Sequence, residues 1–238
     1  MKYLDTVIES LKYVNTQKEK FEEAISIIES SLKSNGLIYV FGTGHSHMLA
    51  EEIFYRAGGL AAVYPILIDE LMLHRKASVS SEIERIEGYI SKILDGYDLS
   101  SSDTFIIISN SGINAVPVEA ALCAKSKGCK IIAITSLNHS KDSKPRNSKN
   151  LHLYEIADVF LDNGAPKGDA TMDVNGKKMG PISTITGAFI LNSLIIGTAE
   201  KLEKEGIKLP IFLSANVENG DEINAKILEN YKKRVPIL

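Results

Sequence analysis

The chain has 238 residues, enough for one large domain and cramped for two. Hydrophobic residues make up 44% and charged residues 24%, close to the globular average, which excludes a disordered or collagen-like chain. The formal net charge of −3 lacks the basic surplus of a dedicated nucleic-acid binder, so nucleic acid is not an expected partner.

Residues 1–10 are amphipathic and acidic rather than basic and then apolar, so no secretory signal is expected. Apolar residues at Leu4, Val7, Ile8 and Leu11, then at Phe21, Ala24, Ile25, Ile28 and Leu32, follow helical spacing. Asn15-Thr16 breaks the pattern and Asn35-Gly36 closes it, which makes residues 1–35 a helical extension packed outside the following domain. The pattern then changes. Residues 37–41 form a short continuous apolar run ending in Gly42-Thr43-Gly44, as a buried parallel strand does on entering a tight turn.

The same event recurs at 62–68 (weakened by Pro65), at 104–108, at 130–134 and at 157–161. Helical patterns lie between, over 48–55, from Ile83 through Ile86, Ile90 and Ile93 to Leu94, and over 116–127. Residues 137–150 are polar and basic and read as an exposed loop, and Asn175-Gly176 within 167–180 marks a small hairpin. Ser183-Thr184 reads as the cap of an apolar helix. Its most apolar window, 185–199, is shorter than the roughly 20 residues of a membrane span and carries Thr186, Asn192 and Ser193. It is expected to be a buried helix, and no membrane partner is expected. Residues 206–238 are a tail, helical from 217 to 235. Cys123 and Cys129 form no CxxC pair, so free thiols in a reducing cytoplasm are expected.

Strands alternating with helices mean βαβ units and a parallel sheet covered on both faces. The fold class is therefore α/β, a doubly wound five-stranded domain over about 36–205. In such sheets ligands bind at the carboxyl ends of the strands, beside the point where strand order reverses. Three strand ends are rich in glycine and small hydroxyl residues. The first is Gly42, Thr43, Gly44, His45 and Ser46, leading into a helix near His47. The glycines permit a sharp turn that presents backbone N–H groups, Thr43 and Ser46 add hydroxyls, and a helix N-terminus adds positive potential. It is neither a dinucleotide fingerprint, whose third glycine would fall at His47, nor a P-loop, so no cofactor is expected. The second is Ser109, Asn110, Ser111, Gly112, Ile113 and Asn114, an anion cradle by the same physics. The third is Thr135-Ser136.

These three turns resemble the phosphosugar-binding loops of the sugar isomerase (SIS) domain family. The likeness covers most of residues 16–200. It is strongest in FGTGHSHMLAEEIFYRAGG, SNSGINAVPVE, LDNGAPKGDA and PISTITGAFILN, which resemble a bacterial subgroup related to phosphoheptose isomerases. The resemblance implies a three-layer αβα sandwich, a phosphorylated sugar as ligand, and a homodimer or tetramer. It implies phosphosugar contacts from Gly42, Thr43, Gly44, Ser46, Ser109, Ser111, Gly112, Asn114, Thr135 and Ser136. The sequence departs from the family at Asn114, where the loop ordinarily carries threonine. The place of the phosphoheptose isomerase glutamate falls near Tyr55-Arg56, and no histidine follows His152.

Proton transfer at a sugar carbon needs an imidazole or carboxylate within reach. The candidates beside the first turn are His45, His47, Glu51 and Glu52. An imidazole titrates near neutrality without tuning and a glutamate requires burial, which ranks His45 and His47 above Glu52, and Glu52 above Glu51. Local packing of the histidines, and an i,i+4 ion pair of Glu52 with Arg56, are the plain alternatives. A metal at His45-x-His47, completed by His139 or Glu51, lacks a second fixed ligand pair, and none is expected. Asp162, Asn163, Lys167 and Asp169 either meet sugar hydroxyls or build the turn into the hairpin. The expected function is an aldose–ketose sugar-phosphate isomerase. The alternatives are a non-catalytic phosphosugar sensor, and a phosphosugar lyase or etherase.

Overall fold

The five apolar runs pair into one parallel sheet in a computed structural model, which describes residues 1–238. The strands are β1 (Ile38–Gly42), β2 (Val63–Ile66), β3 (Thr104–Ile108), β4 (Lys130–Thr135) and β5 (Val159–Asp162), lying side by side as β2-β1-β3-β4-β5. Gly42 stands beside Ile108, and Ile108 beside Ile134. The chain steps from β1 outward to β2, then crosses to the other side of β1 for β3. Strand order reverses between β1 and β3, and in open α/β sheets ligands bind in the crevice outside the carboxyl ends of the strands at such a point.

The helices are α1 (Lys2–Asn15), α2 (Lys18–Lys33), α3 (His47–Glu52), α4 (Leu73–Ile83), α5 (Tyr89–Leu94), α6 (Ala115–Ser126), α7 (Leu137–Lys141), α8 (Leu153–Ile156), α9 (Ser183–Lys204) and α10 (Gly220–Tyr231). Successive strand residues point to opposite faces, so each strand divides its side chains between two cores. Tyr39, Phe41, Phe105, Ile107, Ile131 and Ala133 face α5, α6 and α8. Ile38, Val40, Ile106, Ile132, Ile134 and Leu161 face α2, α3 and α9. The result is a three-layer αβα sandwich. Fully burying one such side chain stabilises by about 1.5–3 kcal/mol relative to leaving it in water.

Four expectations from the sequence change. The second leading helix does not pack outside: Phe21, Ala24, Ile25 and Ile28 of α2 enter a core layer against β5 and α9. The run at 62–68 keeps only four residues as strand. Pro65 is tolerated because β2 is an edge strand, where a missing N–H breaks no ladder. The helical pattern from Ile83 to Leu94 divides, with Gly88 in the left-handed region at φ 73°. The 137–150 loop contains α7, capped by the Ser136 hydroxyl on the His139 N–H, and buries Ser140 completely.

The hairpin forms as β6 (Ala170–Val174) and β7 (Lys177–Pro181), with Asn175 and Gly176 both at positive φ. α9 runs 22 residues, longer than the window read from sequence, and by length and composition is long and apolar enough to cross a membrane. Its Ile190, Leu191 and Leu194 are fully buried against the sheet layer, which makes it a core helix. Cys123 and Cys129 are both free, and burial pushes the Cys129 thiol up to about 11.

Candidate functional site

β1 delivers the chain into its turn at Gly42, where a Cβ would lie 2.6 Å from the Ser46 carbonyl. Only glycine permits so tight a return of backbone on itself. Gly44 takes a left-handed φ of 54°, and residues 44–46 form a single tight turn before α3. The N–H groups of Gly44 and His45 make no hydrogen bond within the protein. The Ser46 hydroxyl is likewise uncommitted, whereas the Thr43 hydroxyl donates to Glu84 Oε1 at 2.7 Å.

β3 delivers the second turn. The Gly112 N–H donates to Ser109 Oγ at 3.2 Å, and Gly112 sits at φ 61°. A Cβ there would stand 3.1 Å from Thr135 Oγ1 and 3.2 Å from Leu153 Cβ. The Asn110 carbonyl accepts from the Ser136 N–H at 3.0 Å and from the Thr135 hydroxyl at 3.3 Å. The Asn110 side chain accepts from Asn163 Nδ2 at 3.0 Å, which ties the ends of β3, β4 and β5 together. The Ser111 and Ile113 N–H groups and the Ser111 hydroxyl have no partner within the protein.

The ten expected phosphosugar contacts therefore gather at the β1, β3 and β4 ends but divide by availability. Ser46 and Ser111 hold free hydroxyls. Thr43 and Thr135 donate theirs inside the site, and the Ser109 oxygen accepts from the Gly112 N–H. Ser136 donates to the Ala165 carbonyl at 2.5 Å and accepts from the His139 N–H at 3.0 Å. The Ser140 hydroxyl, which lies behind Gly112, and the Asn114 Oδ1 and His139 Nδ1 are buried without a hydrogen-bond partner. Burial, then Lys167 and Arg146, hold the His139 imidazole below its ordinary range, with Asp169 opposing.

Of the expected proton-moving groups, His45 is exposed and uncommitted. His47 is buried, with Nδ1 against the Gly44 carbonyl and Nε2 3.8 Å from Glu51. Glu52 pairs with Arg56 and accepts from Asn192 Nδ2 at 3.4 Å. No three histidine, cysteine or acidic side chains converge as metal ligands.

Asp162, which ends β5, and the residues after it build turns. Asp162 accepts from the Tyr13 hydroxyl at 2.8 Å and from the Leu137 and Gly164 N–H groups. Burial and that carboxylate push the Tyr13 hydroxyl up to about 12. Asp169 accepts from the Ile182 and Ser183 N–H groups and from the Ser183 hydroxyl, so α9 is capped by Asp169 rather than by Ser183 itself. Lys167 donates to the Asp142 carbonyl.

Sequence reasoning missed Glu84. It lies just beyond α4, and its carbonyl accepts from the Val116 N–H at 3.1 Å in the first turn of α6. One residue thus touches both sides of the crevice, the Thr43 hydroxyl by side chain and α6 by backbone. Thr43 and Glu84 are 41 residues apart with no motif between them, so no spacing signals the contact.

The SIS domain family matches residues 2–136. A UPF0309 protein of Geobacillus thermodenitrificans is 41% identical over 99% of this chain and 96% of its own length. A UPF0309 protein of Brucella canis is 43% identical over 100% of this chain and 98% of its own. Among solved structures, the phosphoheptose isomerase of Neisseria gonorrhoeae superposes with a TM-score of 0.55 at 16% identity, covering 84% of this chain and 96% of that one. That likeness is one of fold.

Proposed function

The chain belongs to the SIS domain family and, within it, to the UPF0309 proteins, and from that premise we propose that it binds a phosphorylated sugar between β1 and β3. We propose further that it interconverts the aldose and ketose forms of that sugar phosphate. One observation carries the reading. Where strand order reverses, two glycine turns present unpaired N–H groups and the free hydroxyls of Ser46 and Ser111, next to the buried, unsatisfied Ser140 hydroxyl. Buried polar groups are ordinarily paired, and a phosphate offers three acceptor oxygens to unpaired donors. Lys167 and Arg146, which act on His139, add positive potential behind the cradle.

A sensing protein without catalysis is the second reading. It is favoured by the ties of His47 to Gly44 and of Glu52 to Arg56, which occupy two of the four groups expected to move protons.

The test is a thermal-shift panel of aldose and ketose phosphates, each beside its unphosphorylated sugar. A ligand that binds only the folded state at a hundredfold excess over Kd stabilises it by about 2.7 kcal/mol. We expect at least one phosphorylated member to raise Tm and its free sugar to leave Tm unchanged. A panel in which no sugar phosphate shifts Tm overturns the proposal.

A further inference from the structure

We infer that Glu84, rather than His47 or Glu52, is the group that exchanges a proton with the sugar carbon; the inference rests on the sugar-phosphate reading above. Three observations carry it. The first is place: Glu84 holds the Thr43 hydroxyl at 2.7 Å by its carboxylate and the start of α6 through its backbone carbonyl, so the residue bridges the first turn and the helix that follows the second. The second is availability. Oε1 accepts from Thr43, Oε2 has no hydrogen bond, and no cation pairs with the group. By contrast, Glu52 is neutralised by Arg56, Glu51 is exposed beside His47, and the His47 ring is held against the Gly44 carbonyl. The third is surroundings. Glu84 is half-buried, and its partner Thr43 is buried.

The step conserves atoms and electrons without any oxidant. Glu84 takes the proton from C2 of the open-chain aldose phosphate, and the C2–H electron pair becomes the C1–C2 double bond. The C1 carbonyl pair moves onto O1, which takes a proton from solvent at the crevice mouth. The C2 hydroxyl then loses its proton to solvent, its electrons form the C2 carbonyl, and the double-bond pair collects the proton from Glu84 at C1. Glu84 ends as it began, a carboxylate. The Thr43 hydroxyl, donating to Oε1, fixes the carboxylate plane while Oε2 works.

The experiment compares wild type, Glu84→Gln and Glu84→Asp on each sugar phosphate that raises wild-type Tm. Affinity is read by calorimetry and proton exchange at C1 and C2 by NMR in deuterated buffer. Glutamine keeps the bond from Thr43 but cannot take a proton. We expect Glu84→Gln to bind within about threefold of wild type and to lose about 10²–10⁴-fold in exchange rate, with Glu84→Asp between the two. Exchange by Glu84→Gln at the wild-type rate overturns the inference and leaves the sugar-phosphate reading standing. So does a wild type that binds sugar phosphates and exchanges no carbon-bound proton. A wild type that binds none overturns the sugar-phosphate reading first, and this inference with it.

Discussion

Ser109 and Ser111 read alike in the sequence, two serines bracketing one asparagine, and the fold gives them different tasks. Ser109 Oγ receives the Gly112 N–H and shapes the turn, while Ser111 keeps its hydroxyl free. Which serine is spent depends on backbone direction within a four-residue turn, and residue type does not encode it. Replacing Ser111 by alanine should weaken sugar-phosphate binding by about tenfold or more, because a hydrogen bond to a charged group contributes about 1.5–3 kcal/mol. Calorimetry on the folded variant checks this, and unchanged affinity counts against the assignment. Ser140 makes a sharper case. Its hydroxyl is buried without a partner, a state that costs about 1–3 kcal/mol relative to a satisfied group. Ser140→Ala should therefore leave the free protein as stable as wild type or more so, while reducing affinity for the ligand. A lower Tm with unaltered affinity would assign Ser140 to packing alone.

His139 adds a pH dependence at the same place. Its folded value lies below the ordinary imidazole range, so between the two values the unfolded chain binds the proton better. Stability from this group is complete above about pH 6.5 and is lost as pH falls below that. An anion held beside His139 acts in the opposite direction, so the NMR titration of its ring should move to higher pH when a sugar phosphate binds. A midpoint indifferent to ligand would place the phosphate away from this corner.

Among elements, the buried strands were the most legible part of the chain. Continuous runs such as Thr104–Ile108 can only be covered on both faces, and the glycine turns after them located the carboxyl ends. What escaped was decided by contacts distant in sequence. α2 carries an amphipathic stripe that suits an outer helix or a core layer equally well, and its place was settled by α9 and β5. The loop after α7 looked free because it is basic, yet Glu87 holds the Ser148 N–H and hydroxyl, and Asn147 donates to the Ile113 carbonyl. Ile28, fully buried on α2, measures how far that helix belongs to the core. Ile28→Ala should cost about 2–5 kcal/mol in chemical denaturation, the ordinary range for a large-to-small change at a packed site. A loss below about 1 kcal/mol would return α2 to the status of an outer extension.

For the whole molecule, the sandwich leaves apolar side chains in water on two of its helices, Leu4 and Ile8 on α1 and Ile185 and Ile196 on α9. Large exposed apolar surface marks association, and we expect a second copy of the chain to cover part of it. Light scattering at micromolar concentration should give at least twice the chain mass, and a monomer mass would remove the argument. We place the ligand between β1 and β3, and the molecule offers other openings. A cavity of about 420 Å³ lies at the amino ends of the strands, lined by Tyr39, Tyr64, Tyr97 and Lys233. A crystal structure with the tightest-binding sugar phosphate distinguishes these places. The phosphate should lie within hydrogen-bond distance of the Ser111 hydroxyl and the Ser111 and Ile113 N–H groups, with a sugar carbon facing Glu84. A phosphate found at the amino ends of the strands, or anywhere outside the crevice between β1 and β3, would contradict that placement.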